Sequence, residues 1–351
     1  MSEISVPGTR PRLLPVWRPR GRVVAVTVAA LVLLLVVAVI ALSTGDRFTP
    51  PGELLPALLG SADENTVYAV REVRLPRVVL AVVTGIAFGV AGGLSQSVLR
   101  NPLASPDVLG IGAGASAAVV AVIAIGSLGG PVGILPTPVA ALIGGFAAAA
   151  IVALLARDGS LRGARILLVG IALSTALTGL TQYLLTRMDV NDAQAAAAWI
   201  TGSLNARGWS EAIPVLIGIV ILLPLALGLA RTNRALLFDD EVASAWGIRT
   251  GAARLLLVAI AVCLAALATS AAGPVAFVAL VSGQVARRAA RVPDIPPLLA
   301  GLVGALIVLV ADTVARTVLP FPLPVGVLTA VVGAPYLLYL LQRGRRPGGA
   351  A

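Results

Sequence analysis

The chain has no histidine and no lysine; all 26 of its basic residues are arginine. Without lysine it cannot carry a P-loop, whose lysine sits on the nucleotide phosphates. Without histidine it lacks the commonest general base and metal ligand. The single cysteine, Cys263, lies inside an apolar run, so there is no disulfide framework. Charged residues are only 12% of the 351, against 58% hydrophobic. These absences exclude an ATP-hydrolysing site on this chain and leave no residue set for metal or covalent chemistry, so an enzyme is not expected. With a mean hydropathy of +0.98, the composition is that of an all-α polytopic membrane protein.

The net charge of +10 invites a nucleic-acid reading, which its distribution argues against. With ten spans and a cytoplasmic N-terminus, Arg47, Arg71, Arg74, Arg77, Arg187, Arg207 and Arg316 fall outside. The other 19 of the 26 arginines fall inside. That asymmetry is the positive-inside pattern. The expected spans are 23–42, 77–99, 107–127, 136–156, 166–186, 212–230, 252–271, 275–287 (short), 298–318 and 324–342. A basic tail (1–22) and a short tail (343–351), both expected to be cytoplasmic, flank this ten-span transmembrane domain (23–342). The first run is longer than a usual signal-peptide core and reads as an uncleaved anchor.

The stretch 74–116 organises the rest. Gly85, Gly89 and Gly93 recur every four residues, marking one helix face for close backbone approach. Arg100-Asn101-Pro102 ends that helix. Ser105-Pro106-Asp107 restarts one, with serine as N-cap and the acid at the positive helix end. Gly110-Ile111-Gly112-Ala113-Gly114 lacks a preceding strand and the spacing of a dinucleotide fingerprint. It reads as close helix packing.

Arg74-Leu75-Pro76-Arg77, Arg100-Asn101-Pro102-Leu103-Ala104-Ser105-Pro106-Asp107 and Trp199-Ile200-Thr201-Gly202-Ser203-Leu204 resemble the FecCD family. Its members are permease subunits of bacterial ATP-driven importers for iron–siderophores, haem and vitamin B12. The resemblance, over about 48–342, implies a ten-helix fold of the vitamin B12 permease type in the cytoplasmic membrane. It implies a pathway between two permease copies or paralogues and a short helix at the outer surface near Trp199. The expected partners are a dimer of ABC ATPase subunits, a periplasmic or lipid-anchored substrate-binding protein, membrane lipid and a ferric siderophore. No cofactor is implied. Many members have proline-histidine where this chain has Gly283-Gln284, a weak likeness to ferric catecholate permeases. Haem and vitamin B12 remain alternatives for the cargo. A self-contained secondary transporter is the rival machine, but it normally needs intramembrane ionisable residues; only Asp312, beside Arg316, falls within an expected span.

Three constellations carry the reading. Asp239, Asp240 and Glu241 open a short inner helix presenting Val242, Ala245 and Trp246, which Gly247 ends. It either rests on the bilayer or, as the resemblance implies, couples to the ATPase. Outside, Arg74, Arg77 and Arg316 either snorkel to headgroups and pair locally or, by the same resemblance, receive acids of the binding protein. Ser174, Thr178, Thr181 and Gln182 share a helix face. They either bond their own backbone or line a pathway, since a polar stripe needs water or protein beside it. The resemblance also implies an inner gate at Ser160, Gly163 and Ala164. The stripe contains no carboxylate, so bare ferric iron could not be compensated there and is expected to travel inside a chelator.

Overall fold

The computed structural model describes residues 21–45, 47–127, 135–156, 163–318 and 323–344. Within them the fold is helical throughout, with no strand among the described residues. Helix α1 (Gly21–Ser43) is apolar on every side and largely exposed in the isolated chain, as a lipid-facing helix should be. Helix α2 (Pro51–Leu59) stops at Gly60, whose φ of 79° a glycine adopts without strain. Helix α3 (Glu64–Tyr68) starts on Asp63, which accepts the Thr66 N–H at 3.0 Å.

A π turn at 69–74 joins α3 to α4 (Leu75–Val98) without interruption. Pro76 therefore lies inside a helical run rather than opening one. It cannot donate to the turn before it and its ring crowds that turn; the wide π geometry immediately upstream accommodates both. Helix α4 is the axle of the bundle and is buried along most of its length.

The glycine face expected on α4 is used, and the reach of a backbone decides what fits. A Cβ at Gly85 would sit 2.5 Å from the Ala305 Cα, and one at Gly89 2.2 Å from the Ala300 carbonyl oxygen. Gly92, three residues beyond Gly89, approaches the Ala279 carbonyl oxygen so closely that a Cβ would fall 1.8 Å away. Gly93 instead meets the Ile295 side chain.

After α4, Arg100 turns the chain with φ 48°. Residues 106–109 then form one 3₁₀ turn, and Gly110 (φ 78°) precedes α5 (Ile111–Ser127). The span expected from 107 thus begins four residues later, and Ser105 makes no side-chain cap. Helices α6 (Thr137–Leu155), α7 (Gly163–Leu185), α8 (Val190–Ile200) and α9 (Trp209–Gly228) follow. Gly114 of α5 and Gly144 of α6 face each other's backbone, each lacking room for a Cβ; the glycine-rich run is indeed a packing device. Then come α10 (Ala230–Ala235), α11 (Asp240–Ala245), α12 (Thr250–Ala272), α13 (Val278–Ala290), α14 (Pro297–Thr317) and α15 (Val325–Gly344).

Every expected span meets a helix. Among the described residues, seven helical runs have the length and apolarity to cross a membrane, and the helices at 111–126 and 325–339 are shorter apolar ones. Helix α13, with 13 residues, covers roughly 20 Å at 1.5 Å per residue, short of a hydrocarbon core of about 30 Å. The non-helical stretch Gly273-Pro274-Val275-Ala276-Phe277 leads into it, with Phe277 at φ 65°.

Candidate functional site: a cavity beside α7

Gly170 lets the site form. A Cβ there would lie 1.7 Å from the Val108 carbonyl oxygen, so only glycine allows the 3₁₀ turn to press against α7. This contact brings Asp107 beside the polar stripe of α7. The two border a cavity of about 750 Å³, within the range of small-molecule sites. Ser174, Thr178, Thr181 and Gln182 form one wall, as their spacing predicts. Ser105, Asp107 and Ser116 form the second. Thr201, Val275, Phe277, Gly326 and Val331 close the remaining side.

Asp107 corrects the sequence reading twice. It caps no long helix, and the wall shared with the stripe does contain a carboxylate. The Asp107 carboxylate is open to the cavity and makes no hydrogen bond or ion pair among the described residues. Sequence spacing missed it because Asp107 lies more than 60 positions from the stripe and reads locally as a helix-start acid. The only clue was Gly170, a glycine inside an otherwise ordinary apolar helix.

The threonines of the stripe bond their own helix, and all four of its residues also border the cavity. Thr178 Oγ1 donates to the Ser174 carbonyl at 2.7 Å, and Thr181 Oγ1 donates to the Leu177 carbonyl at 2.8 Å. Their protons stay within α7, which leaves the oxygens of these two lining residues as acceptors. Ser174 Oγ, shielded at the wall, has no partner. Beside the stripe, Ile171, Leu180 and Tyr183 are exposed, as are Val331 and Val332 on α15.

The closure at Thr201–Gly202 is equally specific. Gly202 (φ 72°) would place a Cβ 2.4 Å from the Pro274 carbonyl oxygen. Ser203 N–H donates to the Ala272 carbonyl at 2.8 Å and Gly326 N–H to the Gly202 carbonyl at 3.1 Å. The outer motif around Trp199 therefore ties α8 to the end of α12 and the start of α15, and α8 is the short helix expected there.

On the side expected to face inward, α11 (Asp240–Ala245) follows Asp239 at its N-cap position, and Gly247 (φ 77°) lies just past its end as the residues predict. Val242, Ala245 and Trp246 are exposed, together with Leu237 and Phe238. Phe238 and Trp246 meet edge to face at 5.4 Å. Behind this apolar surface, Arg100 Nε donates to the Leu236 carbonyl at 2.9 Å, and its guanidinium also bonds the Phe238 carbonyl. Arg100 and Arg254 both pair with Asp240, at 3.1 and 2.6 Å. Glu241 is exposed. The helix is thus held from the chain side, with its apolar face left uncovered.

Gln284, the residue departing from the family pattern, is buried away from the cavity. Its Nε2 donates to Gln96 Oε1 at 2.7 Å, and Arg287 donates to its Oε1 at 3.0 Å. No contact of Gln284 with the cavity accounts for the catecholate likeness.

The outer arginines are engaged within the chain rather than standing free. Arg74 is buried and donates to the Leu42 carbonyl (2.8 Å), Thr49 Oγ1 (3.0 Å) and the Arg47 carbonyl (2.6 Å). Arg316 donates to the Thr44 carbonyl at 3.0 Å and to the Ala41 carbonyl. Together they satisfy the orphan carbonyls at the α1 C-terminus, where cations are favoured. Arg77 grips Asp312 through two nitrogens at 2.7–3.1 Å, and Arg316 stands 3.8 Å from the same carboxylate. The expected local pair of Asp312 and Arg316 is therefore the looser arm of a three-residue cluster. Among the expected gate residues, Ser160 lies outside the described residues, while Gly163 and Ala164 begin α7.

The sequence matches the FecCD transport family over residues 33–343. This chain belongs to the FecCD transport family. It is 35% identical to the iron-uptake system permease protein FeuC of Bacillus subtilis, covering 90% of this chain and 96% of that one. It is 36% identical to the ferric enterobactin transport system permease protein FepG of Escherichia coli, covering 87% and 92%. With the Fe(3+) dicitrate transport system permease protein FecD of Escherichia coli the identity is 39%, over 81% and 88%. The fold matches a solved transporter described as of the metal-chelate ABC type, in an inward-facing conformation. That match has a TM-score of 0.78 and 24% identity and covers 91% of this chain and 99% of that one. The chain is a membrane-embedded, non-enzymatic permease subunit, and a FecCD permease works with ATPase and substrate-binding partners.

Proposed function

We propose that this FecCD permease carries a ferric siderophore inward across the bacterial cytoplasmic membrane, pairing with a second copy or a paralogue around the α7 cavity. The observation that carries this is the cavity itself, drug-sized and bordered by a polar stripe on a helix face that nothing among the described residues covers. Thr178 and Gln182 cannot face lipid at no cost, so a second protein wall is needed opposite them. In this reading the α11 face, with Val242, Ala245 and Trp246, seats on the ATPase, and both termini are cytoplasmic. The binding protein docks on the outer face, where exposed Arg71 is free to meet acids; Arg77 and Arg316 would have to share their charge with Asp312. Residues 160–164 act as the inner gate. The cycle is alternating access, ATP closing the two ATPases and the coupling helices carrying that motion to the gates.

The test is uptake of an intact radioactive ferric siderophore into proteoliposomes holding permease, ATPase and loaded binding protein. ATP-dependent uptake that survives a protonophore is expected, with free ferric iron in weak citrate excluded. Uptake that collapses with the protonophore and ignores ATP would identify a secondary transporter instead. Trp246→Ala and Val242→Arg should insert normally yet lose both ATPase copurification and transport. Retention of both would return α11 to the bilayer surface.

A further inference from the structure

We propose that Asp107 makes the α7 cavity charge-selective, so that the chelate crossing it is neutral or cationic and turns hydrogen-bond donors toward the wall. This rests on the reading of the chain as a ferric-chelate permease and narrows it to one class of cargo.

The charge balance comes first. Among the described residues that line the cavity, Asp107 is the one ionisable group, and no arginine joins it. The same carboxylate also borders the smaller recess beside it, lined by Ile171, Thr175 and Gly179 of α7. An acid with a structural task would be paired or would cap a helix. Asp107 does neither among the described residues, whereas Asp240, Asp294 and Asp312 each have an arginine. Gly170 and Gly112 supply the space that presents it. Gly170 admits the turn, and a Cβ at Gly112 would come within 3.3 Å of Asp107 Oδ1.

Hydrogen bonding points the same way. Thr178, Thr181 and Thr201 spend their hydroxyl protons on the carbonyls of Ser174, Leu177 and Ala198. What they offer the cavity is lone pairs. A wall rich in acceptors around a carboxylate, its remaining donors being the Gln182 amide and the serine hydroxyls, attracts ammonium and amide N–H groups and repels anions, with low-dielectric protein and lipid behind it. Ferric iron in three hydroxamates carries no net charge, and a pendant amine makes such a complex a cation. Ferric iron in three catecholates is a trianion, which this wall opposes. If the second subunit is an identical copy, the opposing carboxylate doubles.

The experiment is equilibrium binding of radioactive iron chelates to the permease–ATPase complex in nanodiscs, without the binding protein, whose own selectivity would mask the wall's. The probes are a neutral ferric trihydroxamate, the same chelate with one pendant amine, and a ferric tris-catecholate. The wild type should hold the first two at least about tenfold more tightly than the trianion. Asp107→Asn, close to isosteric, should bring all three to within about threefold, and Asp107→Glu should restore the ranking. Trianion binding as tight as that of the neutral chelate, or an unchanged ranking in Asp107→Asn, overturns the inference while leaving the permease reading intact. Failure of all three chelates to bind or to enter proteoliposomes with ATP overturns that reading, and this inference with it.

Discussion

The two sides of α4 and α7 teach opposite lessons about what a small residue does in a membrane helix. Around α4, glycines at 85, 89 and 92 bring the backbones of α13 and α14 into contact, and α4 is buried along most of its length. Helix α7 is mostly exposed, its Gly179 faces open space, and its polar groups border a cavity. With no hydrophobic drive between helices in lipid, α4 is held by close van der Waals approach. The α7 face has given up such contact, which is what a pathway and a partner surface require.

The largest effect expected on the packed side is electrostatic. Arg77 of α4 and Asp312 of α14 form the bridge between these helices, and the Asp312 side chain is 2% exposed. Arg77→Leu leaves that carboxylate with only the arm of Arg316 at 3.8 Å. A loss of about 3–5 kcal/mol is expected, measured as a collapse of the thermal midpoint of the detergent-purified protein. Arg77→Leu with Asp312→Leu should recover most of it, because neither charge then remains buried alone. Exposed Arg71→Leu should shift stability by less than about 0.5 kcal/mol. Equal losses for Arg71 and Arg77 would erase the distinction between framework and docking arginines.

A methyl group sharpens the comparison next. Gly92→Ala places its Cβ 1.8 Å from the Ala279 carbonyl oxygen, and overpacking of this kind costs about 1–3 kcal/mol. Gly179→Ala on α7 meets nothing within 4 Å, so there the helix gains up to about 1 kcal/mol from lost backbone freedom. The same substitution should therefore lower the thermal midpoint at one position and raise it slightly at the other. A lower midpoint for Gly179→Ala in the assembled transporter, but not in the isolated permease, would mark that face as an interface.

How much of this was legible in the sequence follows the same divide. Local signals resolved the helices, the glycine face of α4 and the acids, apolar residues and glycine of α11, because each depends on neighbours three or four positions apart. The α7 stripe was legible for the same reason. Asp107 was not, since its role depends on a turn climbing against Gly170, a contact no periodicity encodes. The partners of the expected outer arginines were not legible either, because they are distant in sequence: the α1 C-terminus, over 30 positions from Arg74, meets Arg74 and Arg316, and Asp312 meets Arg77.

The smallest effect belongs to the cavity wall. Thr178→Val keeps the shape of the side chain and removes a hydroxyl whose proton already serves the Ser174 carbonyl. What is lost is one acceptor lone pair facing a cargo that water can also solvate, and a net hydrogen bond is worth about 0.5–1.5 kcal/mol. Chelate affinity should therefore fall by no more than about tenfold, with stability unchanged because the packed side is untouched. Asp107→Asn should change the preference among charges instead, a qualitatively different outcome at a site on the same wall. If Thr178→Val alters the charge ranking as strongly as Asp107→Asn does, selectivity is spread over the α7 stripe. If it alters stability instead, the stripe is bonded to its own helix for structural reasons, and the open face of α7 is no more specialised than the face of α4.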